Sequence, residues 1–242
     1  MSIPLYLAMT AADFSSCSRL PPHVAWMACH FSASGTGLSN QPNSLPPESL
    51  LILDDQIPWN GHSLEQVCRE TAALLQKTGA EGILLDFERP PTEETLSLAI
   101  LLTRHCTAVG TAIGMPELYA QLPEAAIFLP PLPCYQTPAQ ALSHYGGREL
   151  WLEASGNGCR LEVGAQGTQI IPESPDLLQV ESTQHALFQD PGLLCQYFTE
   201  KTEEGIRINL FDIPGSLQEK LDACEEFGAT RAVAPWQQMR QT

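Results

Sequence analysis

Short apolar runs alternate along the chain with segments whose apolar positions recur every three or four residues. The short runs read as strands, at residues 5–9, 24–29, 50–53, 82–87, 108–113, 125–129, 149–153, 206–211 and 232–236. Most lack strict alternation, as expected of strands buried on both faces. The periodic segments between them read as helices with clear punctuation. Ser63 caps one, with Leu64, Val67, Cys68, Leu74 and Leu75 on its apolar stripe, Lys77 in its last turn and Gly79 as its stop. Thr92 opens a second, with Glu93 and Glu94 at the positive end of its dipole. Thr137-Pro138 opens a short third, and Ser216-Leu217-Gln218-Glu219 forms a capping box for a fourth that ends at Gly228.

Strand–helix–strand repetition implies a parallel sheet with helices outside it. No G-x-G-x-x-G follows the first strand and no Walker motif occurs, which disfavours a doubly wound nucleotide-binding sheet. The expected fold is α/β, a (β/α)8 TIM barrel formed by residues 1–242 as a single domain. Two stretches break the rhythm. Residues 32–48, rich in Ser, Gly, Asn and Pro, predict a long loop after the second strand. Residues 155–212 hold turn signals (Ser155-Gly156-Asn157-Gly158, and Gly164 to Gly167) between short β-type runs at 160–163 and 168–171. With the alternating run Ile206-Arg207-Ile208-Asn209-Leu210, they predict a small antiparallel β insertion after the seventh strand.

Composition narrows the function classes. Apolar residues make up 43% of the 242 and charged residues 17%, enough for a large core and too apolar for disorder. Twelve Lys+Arg stand against 28 Asp+Glu, a formal charge of −16. That balance argues against nucleic-acid partners and anionic membranes and leaves neutral or cationic ligands open. The start, Met1-Ser2-Ile3-Pro4-Leu5-Tyr6, has neither the basic nor the long apolar region of a signal peptide, so a cytoplasmic protein is expected. No window reaches the roughly 18 unbroken apolar residues of a membrane helix. The eight cysteines are scattered without a C-x-x-C pair and read as reduced, small core residues. They lack zinc spacing, and no metal or cofactor is expected.

The segment richest in chemistry is Glu81-Gly82-Ile83-Leu84-Leu85-Asp86-Phe87-Glu88-Arg89-Pro90. As the fourth barrel strand it places Leu84, Asp86 and Glu88 on one face, Leu85 and Phe87 on the other. With the first face in the lumen, both carboxylates lie at the C-terminal mouth, where such barrels keep their chemistry. Like charges within about 7 Å raise one pKa and hold a proton ready for transfer. An acid at a strand end also serves simply to cap the next helix or to pair with Arg89.

Gly82-Ile83-Leu84-Leu85-Asp86-Phe87-Glu88 resembles the end of the D-G-x-D-x-D-x-E signature of family-18 glycoside hydrolases, the chitinase-like fold. Ile208 to Asp212, Ser216-Leu217 with Lys220, Phe227-Gly228 and Ala232-Val233-Ala234-Pro235-Trp236 are similar to that family's closing helix and eighth strand, and the family carries an antiparallel insertion after its seventh strand. Three segments depart from the pattern. Glu81 and Leu84 replace the first and middle Asp, the third strand ends in Leu53-Asp54-Asp55 instead of a Ser/Gly motif, and Leu129-Pro130-Pro131 replaces the Met-x-Tyr-Asp end of the sixth strand. Tyr135, a few residues on, is the candidate to replace the missing tyrosine. The resemblance implies retaining hydrolysis of N-acetylglucosamine-containing glycans with help from the substrate's own acetamido group. In it Glu88 protonates the glycosidic oxygen and Asp86 holds the acetamido N–H, while Trp236 floors the sugar site.

The remaining candidates are weighed from position. Trp236, at the end of the last strand, offers an indole face to a pyranose; Trp26 and Trp151, inside strands, read as core. Trp59 sits in the loop after the third strand and is a candidate for the mouth. One of Asp54 and Asp55 faces the mouth, and His30 is within reach of it. His62, His105, His144 and His185 read as solvated. Three readings follow: a diverged glycoside hydrolase, a non-catalytic member of the same fold that binds a carbohydrate or a partner, and a barrel enzyme of another chemistry built on Asp54, Asp55, Asp86 and Glu88. The oligomeric state is left open.

Overall fold

The computed structural model describes residues 3–35, 37–203 and 205–239. The chain opens with β1 (Leu5–Met9), α1 (Ala11–Ser16), β2 (Val24–Phe31), β3 (Leu38–Ser39) and β4 (Leu50–Asp54). It continues through α2 (Leu64–Thr78), β5 (Gly82–Asp86), α3 (Glu93–Val109), β6 (Ala112–Pro116), β7 (Ala126–Leu129), α4 (Pro138–Leu142) and β8 (Leu150–Glu153). Next come β9 (Gly158–Gly164), β10 (Gly167–Pro172), α5 (Pro175–Ser182), β11 (Phe188–Asp190), β12 (Cys195–Lys201) and β13 (Gly205–Phe211). The chain closes with α6 (Pro214–Cys224), β14 (Ala229–Pro235) and α7 (Trp236–Met239).

Eight strands pair in parallel in the order β1-β14-β8-β7-β6-β5-β4-β2, and β1 pairs with β2 to close the ring. This is the expected (β/α)8 barrel, and β5 is its fourth strand. A second sheet, antiparallel and ordered β10-β9-β13-β12-β11, follows the seventh strand, β8. Two of the outer helices are missing. Between β2 and β4 the described residues hold only the two-residue β3, and a turn replaces a helix between β6 and β7.

Alternation along the strands separates two apolar layers. Tyr6, Ala8, Ala25, Leu50, Ile52, Leu84, Ala126, Trp151 and Val233 fill the lumen. Leu51, Leu53, Ile83, Leu85, Ile113, Ile127 and Leu152 point outward, onto Val67, Leu74, Leu98 and Leu102 of α2 and α3. Each such side chain, fully buried, contributes about 1.5–3 kcal/mol. Trp151 is the lumen's bulkiest member, and Gly114 on β6 makes room for it, since a Cβ there would run into the indole. The Arg231 guanidinium lies 5.0 Å from the centre of the Trp151 ring and pairs with Glu149 at 3.0 Å.

Several boundaries follow their predicted chemistry. Ser63, Thr92 and Thr137 cap α2, α3 and α4, and Gly79 stops α2 in the left-handed region at φ 67°. Others move. The fifth barrel strand occupies 112–116 instead of 108–113, because Ala108 and Val109 continue the helical stripe of Leu98, Leu102 and Cys106. The eighth spans Ala229–Pro235, so Trp236 begins α7 instead of ending a strand. The last long helix starts at Pro214, and Ser216 acts from inside it, its hydroxyl accepting the Ile213 N–H at 2.9 Å. The stretch predicted as the insertion also holds α5 and the strands β11 and β12. His62, expected in solvent, is 6% exposed and packs between Phe31 and Trp59.

Candidate active site

Leu84 is in the lumen, so Asp86, two residues further along β5, continues that face to the C-terminal rim. The same parity carries Leu50 and Ile52 on β4 up to Asp54, and Trp151 on β8 up to Glu153. In the strand register His30 sits beside Asp54, and Asp54 beside Asp86. Three neighbouring strands therefore present His30, Asp54 and Asp86 at one level. The regular strand ends at Asp86; Glu88 lies two residues beyond it and is exposed, while Phe87 between them is buried in the outer layer.

The environments of these carboxylates differ. Asp54 is 8% exposed and both its oxygens lie on the His30 Nδ1, at 2.6 and 2.7 Å. It also accepts the Gln56 N–H at 3.1 Å, so its lone pairs are largely occupied by the protein. Asp86 has its pKa raised from 3.8 to about 6, first by burial and then by the charges of Glu88, Asp54, Glu153 and Asp55. The closing of a ring of acids over a dry lumen is what makes its ionised form costly. Glu153 accepts the Ser155 hydroxyl at 2.9 Å.

Asp55 has a different task from Asp54. Its two oxygens accept the backbone N–H groups of Glu88 and Arg89, at 3.0 and 2.9 Å. Arg89 reciprocates, its side chain donating to the carbonyls of Asp55 at 2.9 Å and Gln56 at 3.1 Å. The Tyr119 hydroxyl donates to the Arg89 carbonyl at 2.8 Å. These bonds tie the segment bearing Glu88 to the loop after β4 and to the turn after β6. Arg89 thus anchors backbone and pairs with neither acid of the 86/88 pair.

The other sequence candidates are dispersed. Trp59 is half-buried, edge-on to Phe31 at 5.4 Å, and packs on the outer layer. Tyr135 packs on Cys134, Cys159, Cys195 and Leu210, beneath the antiparallel sheet. Trp236 is half-buried at the start of α7. Glu153 is the mouth residue that sequence reasoning missed. Its signal was present in a strand already assigned, two places beyond a tryptophan that points inward. Among the described residues, no group of three or more His, Cys, Asp or Glu is arranged to hold a metal ion, and no helix is long and apolar enough to cross a membrane. A surface concavity of about 590 Å³ at the β9–β10 hairpin, lined by Glu162 to Gln169 and Thr202, contains none of these mouth carboxylates.

No family model matches the chain, and no curated protein matches it in sequence. Solved structures do match in fold. The spore cortex-lytic enzyme SleL of Bacillus cereus superposes with a TM-score of 0.57 at 12% identity, over 96% of this chain and 70% of that one. A chitinase from Chromobacterium violaceum gives 0.57 at 13% identity, over 96% and 93%. The family-18 chitinase of Cycas revoluta, in complex with (GlcNAc)3, gives 0.57 at 12%, over 97% and 95%. The architecture is therefore the chitinase-like fold of family-18 glycoside hydrolases.

Proposed function

We propose that the protein is a diverged glycoside hydrolase acting on glycans that contain N-acetylglucosamine. The observation that carries this reading is Asp86, an acid held near pKa 6 at the barrel mouth, two residues before an exposed glutamate tethered by Asp55. Glu88 is the general acid and donates a proton to the glycosidic oxygen. The substrate's acetamido carbonyl attacks the anomeric carbon, and Asp86 accepts the acetamido N–H, so no protein nucleophile is required. The Glu88 charge, after burial, helps keep the Asp86 carboxyl protonated above its ordinary range. Asp54, engaged by His30, supplies charge beside Asp86 and leaves the substrate to its neighbours. The chitinases that share the fold, one of them in complex with (GlcNAc)3, support this substrate class.

A second reading has its own support. The sixth strand, β7, ends in Leu129-Pro130-Pro131, with neither an acid nor a tyrosine at its rim. A mouth so altered also suits a non-catalytic carbohydrate-binding member of the fold. Release of reducing ends from chitooligosaccharides by the purified protein decides between them. The hydrolase reading expects turnover that falls at least about 10²-fold in Glu88→Gln, which keeps the shape and removes the transferable proton. Oligosaccharide binding with no turnover by the unaltered protein would establish the binding reading, and turnover that survives Glu88→Gln would place the chemistry elsewhere.

A further inference from the structure

Cys134 lies in the loop after β7, and Cys159 is the second residue of β9, where the antiparallel sheet begins. Their sulfurs are 3.1 Å apart, and the two residues are 1% and 3% exposed. Non-bonded carbon atoms rest at about 3.5–4.0 Å, and sulfur is larger than carbon, so these thiols are closer than packing alone explains. Cys195 and Leu210 close the cluster, and the Cys195 thiol is directed at the Cys134 carbonyl, 3.5 Å away. Twenty-five positions separate the close pair, one on the barrel rim and one in the insertion.

We propose that Cys134 and Cys159 are a cross-linking site, which a peroxide converts to a disulfide joining the sixth-strand loop to the inserted sheet. The sulfurs are not equivalent. Cys159 is made more acidic, chiefly by its hydrogen bond with Cys134, with help from the Lys220 ammonium and against burial and the Asp212 charge. The Cys159 thiolate attacks one peroxide oxygen, the O–O bond breaks, and a sulfenic acid and hydroxide result. The Cys134 sulfur then attacks the sulfenic sulfur, the S–O bond breaks, and hydroxide leaves. The two thiol protons end in water, so two thiols and one hydrogen peroxide give one disulfide and two waters. The sulfur pair loses two electrons and the peroxide gains them.

The loop so fastened carries Tyr135 and already meets the insertion through Asn157, whose amide donates to the carbonyls of Pro131 and Leu132 at 3.1 and 2.9 Å. A bond at the cysteines makes that polar contact covalent.

Mild hydrogen peroxide on the purified full chain, followed by thiol counting under denaturing conditions and non-reducing peptide mapping, is the test. The expected result is loss of two of the eight thiols, a mass lower by about 2 Da, and one linked peptide pair carrying Cys134 and Cys159, reversed by dithiothreitol. Cys195→Ala should form the same link. Eight thiols retained, a link that uses Cys195 or any other cysteine, or sulfinic acid at either residue in place of a link would each overturn the proposal.

Discussion

Burial and a ring of like charges make ionised Asp86 costly to the folded chain, and the sign of that cost can be followed with pH. Its folded pKa, about 6, lies above the ordinary 3.8, so in the interval between them the native state holds a proton that the unfolded chain releases. Stability from this residue is fully present below about pH 4 and is lost as pH rises through about 6. Partial exposure screens the effect, leaving a penalty on the order of 1–2 kcal/mol at neutral pH. Asp86→Asn should recover that amount in urea unfolding at pH 7.5 and nothing at pH 4. In the proposed hydrolase the same substitution slows turnover and abolishes the limb of the pH profile near 6. A profile unchanged by the substitution would detach Asp86 from the chemistry. Asp55 makes a different prediction, because its carboxylate binds the backbone that carries Glu88. Asp55→Ala leaves two N–H groups without their acceptor and should cost about 2–4 kcal/mol, with Asp55→Asn, which keeps one acceptor, between the two. Equal stabilities for Asp55→Ala and the parent in the same urea titration would contradict the clamp.

The elements around that clamp were legible because their ends are local chemistry. Thr92 accepts the Thr95 N–H at 3.2 Å and the Thr95 hydroxyl accepts the Thr92 N–H at 2.9 Å, so the start of α3 is written in four residues. Thr92→Ala should lower stability by about 0.5–2 kcal/mol, visible as a shift in thermal midpoint with the fold retained. The strands beside it were legible from apolar runs, and the lumen parity of Leu84 and Asp86 followed from the two-residue period. What could not be read depended on partners distant in sequence. The His30–Asp54 contact joins residues 24 positions apart, and the Asp55 tether spans 33. His62 looked solvated because only the meeting of Phe31 and Trp59 buries it. The shift of β6 to Ala112–Pro116 has a local cause, since a helical stripe and a strand run are indistinguishable over residues 108 and 109. Strands β11 and β12 were missed because Phe188, Gln196 and Tyr197 carry no clean alternation of their own, β12 taking its pairing from β13 and β11 from β12.

At the scale of the whole molecule, the barrel and the inserted sheet meet at a buried ion pair. Lys220 of α6 and Asp212, which directly follows β13, are 2.6 Å apart with side chains 3% and 2% exposed. Asp212 also accepts the Asn157 N–H at 3.0 Å and donates its own N–H to the Asn157 carbonyl at 2.9 Å, so both ends of the insertion converge on it. Burial raises the Asp212 pKa, and Lys220 with the Asn157 N–H opposes that rise. Lys220→Met removes the main opposition and leaves a carboxylate in a dry joint. Breaking a buried pair from one side costs about 3–5 kcal/mol. The loss depends on pH in a definite direction. With its folded pKa driven higher still, Asp212 binds a proton in the native state before the unfolded chain does, so the variant regains stability as pH falls. Urea unfolding should therefore show a larger deficit for Lys220→Met at pH 8 than at pH 5. The double variant Lys220→Met/Asp212→Asn removes the stranded charge yet keeps an acceptor for Asn157, and it should recover more than half of the deficit at pH 8 and lose its dependence on pH. If the double variant is no more stable than Lys220→Met, packing of the lysine stem and not charge holds the insertion to the barrel.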